Sequence, residues 1–164
     1  VILTDNLVSQ FSIPEIETVV AHEIGHYKHH DGFKMAVFNS LVAFLGFSVV
    51  AGFFDSWLLI LNFTTKDDIA FFPILTLVFV VFGFLLMPIL NGYSRRLEVE
   101  ADDYSLKLTR SPDDFVSMIK KLGDMNLADF KPNPLTEILF YTHPPNSKRN
   151  QYAQWFNFRK STGP

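Results

Sequence analysis

Cysteine is absent from this chain of 164 residues. Disulfides, iron–sulfur clusters, thiolate zinc sites and cysteine nucleophiles are therefore excluded, while the redox compartment is left open. Charge is also scarce: charged residues make up 19% of the chain, and 14 basic against 17 acidic residues give a formal net charge of -3. An ordinary nucleic-acid binder needs a basic surface, and a disordered chain needs low hydrophobicity with high charge, so both classes are excluded. The start, Val-Ile-Leu-Thr-Asp, has neither a basic n-region nor an initiating Met. It reads as a piece of a longer chain without a signal peptide. Internal repeats are missing, and the length suits one domain over residues 1–164.

What is abundant is apolar. Hydrophobic residues make up 48%, with 18 phenylalanines. Met35–Phe54 and Ile69–Tyr93 carry no charge over twenty and twenty-five residues. A spanning helix needs about 20 apolar residues to cross ~30 Å of hydrocarbon, so both runs qualify, and the phenylalanines read as lipid-facing and packing side chains. Lys28, Lys34, Arg95 and Arg96 flank the outer ends of the pair, whereas Asp55, Lys66, Asp67 and Asp68 lie between the runs. The positive-inside rule then places residues 1–34 and 94–164 on the cytoplasmic face and 55–68 on the other, with Arg95 and Arg96 as topology anchors, one of which could pair with Asp102 or Asp103. The expected organisation is a strand and metal helix in 1–34, a transmembrane hairpin in 35–93, and a second ligand helix with C-terminal helices in 94–164.

Val1–Thr4 is β-branched and short, an edge strand able to pair with an extended substrate. Ser12 and Glu15 have capping-box spacing with Pro14 in the first turn, and Ile13, Ile16, Val19, Val20 and Ile24 recur at helical spacing. This helix is expected to reach His30 and to stop or bend at Asp31–Gly32. Further helices are expected over Glu98–Leu108, from Ser111–Pro112 to Leu122, over Leu135–Tyr141 and over 146–157, with a rigid turn at His143–Pro145.

Residues 22–26 read His-Glu-Ile-Gly-His. Two histidines four apart on a helix differ by only ~40° in direction, so both can reach one metal ion. The glutamate beside them can take a proton from water activated there. One metzincin pattern would put Gly at 29 and a third His at 32. Here these are His29 and Gly32, so that class is excluded. His29 and His30 read as polar residues near the membrane interface. A third ligand must come from elsewhere: His143, or the carboxylates Glu98, Glu100, Asp102 and Asp103. Glu98 and Asp102 share a helix face with Ala101 between them, so one can bind metal while the other orients a ligand imidazole.

Ala21-His22-Glu23-Ile24-Gly25-His26, two apolar runs, Ser94-Arg95-Arg96-Leu97-Glu98-Val99-Glu100-Ala101-Asp102, and Tyr141-Thr142-His143-Pro144-Pro145 with Arg149 follow in order. The whole resembles the CAAX prenyl protease 1 family of integral-membrane zinc endopeptidases. The HtpX membrane proteases are a related family that shares the metal pattern, and the upstream helices and active-site Asn strand of the first family are not expected within this sequence. The resemblance implies a mostly α, gluzincin-like catalytic domain with the transmembrane hairpin inserted between its metal-ligand helices. It implies one Zn2+ per chain on His22, His26 and Glu98, Glu23 as catalytic base, Asp102 orienting a ligand, and His143 and Arg149 lining the active site. It implies a peptide or protein substrate, prenylated in the CAAX case, and a multi-pass protein of the lipid bilayer. That bilayer would be the inner membrane of a prokaryote or the endoplasmic reticulum of a eukaryote, with the catalytic side cytoplasmic. A quality-control protease of HtpX type and a non-catalytic membrane protein with a structural zinc are the competing readings. Three protein ligands leave a position open for water, which favours catalysis over structure.

Overall fold

The structure, a computed structural model, describes residues 3–62 and 68–162. Seven α-helices and one 3-10 turn account for it: α1 (Asp5–Gln10), α2 (Ile13–Lys28), α3 (Asp31–Ile60), the turn Ile69–Phe71, α4 (Phe72–Thr109), α5 (Pro112–Met125), α6 (Pro134–Phe140) and α7 (Asn146–Thr162). There is no strand among the described residues. Val1 and Ile2 of the expected strand lie outside them, and Thr4 instead caps α1, its Oγ1 accepting from the Leu7 amide at 3.3 Å. Lys66 and Asp67 of the expected connecting loop also lie outside. The chain forms two compact units, Phe33–Leu90 and Val1–Gly32 with Asn91–Pro164.

In the first unit, Phe47 pairs with Phe79 at 5.0 Å and Phe54 with Phe71 at 4.9 Å, so later residues of α3 meet earlier ones of the second run. That order makes the two antiparallel. Only 11% and 6% of the residues in the two apolar windows are buried. Core helices of a water-soluble protein would be mostly buried; these two are long and apolar enough to cross a membrane and leave Phe44, Leu45, Val80 and Leu85 exposed. The expected bounds need extension. α3 continues past Phe54 through Asp55 to Ile60, and α4 runs through Pro88 and Ser94 without interruption to Thr109. Pro88 costs one backbone hydrogen bond, a loss that spanning helices accommodate.

In the second unit, Phe115, Met118 and Ile119 of α5 pack with Leu106 of α4, Ala153 of α7, and Leu7 and Phe11 around α1. Ile16 and Val19 of α2 pack against this core, but Ile13 and Ile24 stay exposed. The buried positions of α2 are Glu15, Thr18, Ala21 and Gly25. Small residues there allow close approach to α4: a Cβ on Gly25 would stand 3.2 Å from Ala101 Cα. Ser105 Oγ donates to the Thr18 carbonyl at 2.7 Å across the same contact.

Glu15 closes the capping box by accepting from the Ser12 amide at 2.7 Å and also binds Ser117 Oγ and Lys121 Nζ, each at 2.6 Å. Burial opposes its charge, but the hydrogen bonds from Lys121, Ser117 and Ser12 outweigh burial and bring its pKa down from 4.5 to about 2. A depressed folded pKa means the ionised carboxylate stabilises the fold fully above pH 4.5, and that stabilisation is lost as pH falls toward 2. Melting temperatures across that window should fall more steeply in the wild type than in Glu15→Gln, which starts lower at neutral pH.

Candidate metal centre

α2 presents His22 and His26 one turn apart, and α4 presents Glu98 opposite them. His26 Nε2 lies 3.1 Å from His22 Nε2, His22 Nε2 lies 3.3 Å from Glu98 Oε2, and His26 Nε2 lies 3.5 Å from Glu98 Oε1. Ligand atoms bound tetrahedrally at ~2.1 Å stand about 3.4 Å from each other, so these separations suit one ion.

The surroundings of the two rings point the same way. His26 Nδ1 meets Asp31 Oδ2 at 2.9 Å, and His22 Nδ1 meets Asp102 Oδ1 at 2.9 Å. A carboxylate at Nδ1 is the arrangement that orients a histidine with Nε2 toward a metal. The two Nε2 atoms and the Glu98 carboxylate face each other, and Glu98 Oε2 and His22 Nδ1 are buried without a well-formed hydrogen bond. Positive charge suits such a group, whether protons on the imidazoles or a metal ion. Burial opposes charge on His22, yet Asp102 and Glu98 outweigh it and raise its pKa to about 9. The same negative field attracts a divalent cation.

Asp102 is buried at the contact between α2 and α4. Arg149 of α7 grips it with two bonds, Nε to Oδ2 at 2.7 Å and Nη2 to Oδ1 at 2.5 Å. Burial works against ionisation of Asp102, but Arg149 and His22 overcome it and hold its carboxyl below the usual range. The Arg149 guanidinium is thus turned to Asp102. Asp103 is taken by Tyr152 Oη and Lys107, and Arg96 pairs with Glu100.

His143 stands in the turn between α6 and α7, its side chain 60% exposed and its Nε2 3.2 Å from Glu98 Oε1. It is outside the group of His22, His26 and Glu98 whose donor atoms converge. Thr142 Oγ1 lies 2.9 Å from His143 Nδ1. Its other ring nitrogen, Nε2, is the one that faces the site. Glu23 is exposed on α2 beside His22. A cavity of about 460 Å³ borders the His143 turn, lined by Leu122, Phe140, Tyr141, Pro144 and Arg149 among others.

Six of the seven residues singled out from sequence are therefore linked through short contacts: His22, His26, Glu98, Asp102, His143 and Arg149. Two others were not anticipated. Asp31 supports His26 as Asp102 supports His22, and its signal is a carboxylate five residues after a ligand histidine. α2 ends at Lys28 rather than His30, His30 has a left-handed φ of 56°, and α3 begins at Asp31. The break therefore precedes Gly32 and returns Asp31 toward the metal helix. The second is Arg95, expected as a topology anchor, whose Nη1 donates to the carbonyls of Glu137 at 2.9 Å and Tyr141 at 2.6 Å.

The sequence profile of Peptidase family M48 matches residues 1–154. CAAX prenyl protease 1 of Saccharomyces cerevisiae is 30% identical over 91% of this chain and 36% of its own length. Protease HtpX of Tolumonas auensis is 30% identical over 92% of this chain and 56% of its own. The crystal structure of S. mikatae Ste24p superposes with a TM-score of 0.77 at 25% identity, covering 92% of this chain and 39% of that one. The chain thus spans roughly a third to just over half of these relatives. The three motifs and their order resemble the same proteins that the wider comparison finds, and with the profile matched from residue 1 to residue 154 the chain belongs to peptidase family M48.

Proposed function

We propose that this chain is the catalytic part of a membrane-embedded zinc endopeptidase, acting on peptide or protein substrates at the cytoplasmic face of a bilayer. The observation that carries this reading is the convergence of His22, His26 and Glu98, each histidine backed by its own carboxylate. In it, those three residues hold one zinc ion, Asp102 and Asp31 orient the imidazoles, and Arg149 keeps Asp102 ionised and in place. Bound zinc supplies a Lewis acid and acidifies water toward a pKa of ~7. Glu23 takes the proton of the attacking water as its oxygen bonds to the scissile carbonyl carbon. Glu23 then passes that proton to the amine as the C–N bond breaks. His143 Nε2–H donates to the oxyanion that develops on the carbonyl. A structural zinc would need a fourth protein ligand, and the position of His143 outside the converging group weighs against it.

Prenylated CAAX peptides are the substrate suggested by the name of the yeast relative; a membrane quality-control role is the competing reading, and the chain covers more of the Tolumonas protease HtpX than of the yeast protein. Full-length protein assayed on a farnesylated CAAX peptide and on an unfolded membrane protein separates the two. A chelator should abolish cleavage in either case, and added zinc should restore it. Activity that survives complete metal removal contradicts the proposal.

The proposed topology has its own test, helped by the absence of native cysteine. Cysteine at Asn62 should react with an impermeant thiol reagent from outside the cytoplasm, and cysteine at Lys120 only from within. Labelling of both from one side contradicts the hairpin.

A further inference from the structure

We infer that Arg95, with Asn91 one turn before it, is a positioning residue that sets His143 against the metal centre by gripping the C-terminal end of α6. This rests on the role proposed above for His143.

The last four carbonyls of the seven-residue α6 have no amide within the helix; that of Glu137 accepts from the Tyr141 amide just beyond its end and has room for a second donor. Two side chains of α4 supply partners. Arg95 Nη1 donates to the Glu137 and Tyr141 carbonyls, with a longer contact of 3.5 Å to Ile138, and Asn91 Nδ2 donates to the Leu139 carbonyl. Arg95 and Asn91 are four apart and so share one face of α4. A guanidinium suits this place: it is always charged, carries several donors in a rigid fork, and meets the negative end of the helix.

The grip lies between two functional points. Glu98 follows Arg95 by three residues on the same helix, about 4.5 Å along its axis. His143 follows Tyr141 by two residues, a reach of at most ~7 Å. Packing does little to hold His143, whose side chain is 60% exposed. Downstream, the Pro145 carbonyl accepts from the Lys148 and Arg149 amides at the start of α7, which fixes the other end of the turn. The turn bearing His143 is thus held at both ends, and the upstream hold comes from the helix that carries Glu98. The distance from His143 to Glu98 is set by this grip.

The test is a four-variant cycle in the full-length zinc-loaded protein: wild type, Arg95→Ala, His143→Ala and the double variant. His143→Ala should lower kcat by ~10²-fold, as removal of an oxyanion donor does. Arg95→Ala should lower kcat by ~10-fold or more with KM and zinc content little changed. The double variant should be no slower than His143→Ala alone, because Arg95 acts through the histidine. Arg95→Ala should also speed hydrogen exchange of the amides in 138–143 while leaving α5 protected. Asn91→Ala should do the same more weakly, and serves if Arg95→Ala does not fold. Losses that multiply in the double variant, or loss of zinc in Arg95→Ala, overturn the positioning role alone. An unchanged kcat in His143→Ala overturns the role of His143 and the inference resting on it. Unchanged exchange in 138–143 shows there is no grip.

Discussion

Glu23→Gln should lower peptide hydrolysis by the full-length enzyme by ~10²-fold or more while zinc remains bound at about one ion per chain. Glutamine keeps the shape and hydrogen-bonding reach of glutamate but cannot accept a proton from water. Glu23 is exposed beside His22 and stands outside the converging ligand group, so its loss leaves the donor set intact. The two readouts discriminate between roles. Loss of zinc together with activity would make Glu23 a structural member of the site, and full activity would remove it from the chemistry.

The metal helix was legible because two independent signals coincide on it. Ser12, Pro14 and Glu15 mark its start by local hydrogen-bonding chemistry, and His22 and His26 carry a spacing with geometric meaning on a helix. For the third ligand the spacing alone left His143, Glu98, Glu100, Asp102 and Asp103 open, with Glu98 and Asp102 on one helix face; the family resemblance singled out Glu98 and Asp102, and the structure brings both to the two histidines. The membrane helices followed from length and the lack of charge.

Other features depend on contacts that leave no local pattern. The Arg149 partner on Asp102 is 47 residues away in sequence, and the carbonyls gripped by Arg95 are 42 to 46 residues away. Backbone carbonyls have no sequence signature, so two arginines after an apolar run read as topology anchors or as partners of Asp102 or Asp103, which instead go to Arg149 and to Tyr152 and Lys107. The buried face of α2 was obscured because burial there goes to Glu15, Thr18, Ala21 and Gly25, while Ile13 and Ile24 remain exposed. Close approach to α4 selects small residues over large apolar ones. Asp31 was hidden by the break before it: a left-handed His30 ends α2, whereas glycine is the usual mark of such a turn.

The second large effect concerns the ion itself. Glu98 faces both imidazoles and, in the proposed site, contributes the carboxylate of the donor set. With alanine in its place, two imidazoles remain to hold a dication, and the negative charge nearest to it is gone. Structural and catalytic zinc sites use at least three protein ligands, so occupancy should collapse rather than weaken slightly. Asp102, held by Arg149, stays in place to support His22, which separates loss of a ligand from loss of its support.

The most direct measurement is therefore the zinc content of purified full-length wild type and Glu98→Ala, determined side by side after dialysis, with helicity recorded to establish that both are folded. About one zinc per chain is expected in the wild type and near none in folded Glu98→Ala. One zinc per chain retained in Glu98→Ala would contradict Glu98 as a ligand and move the third ligand to another residue.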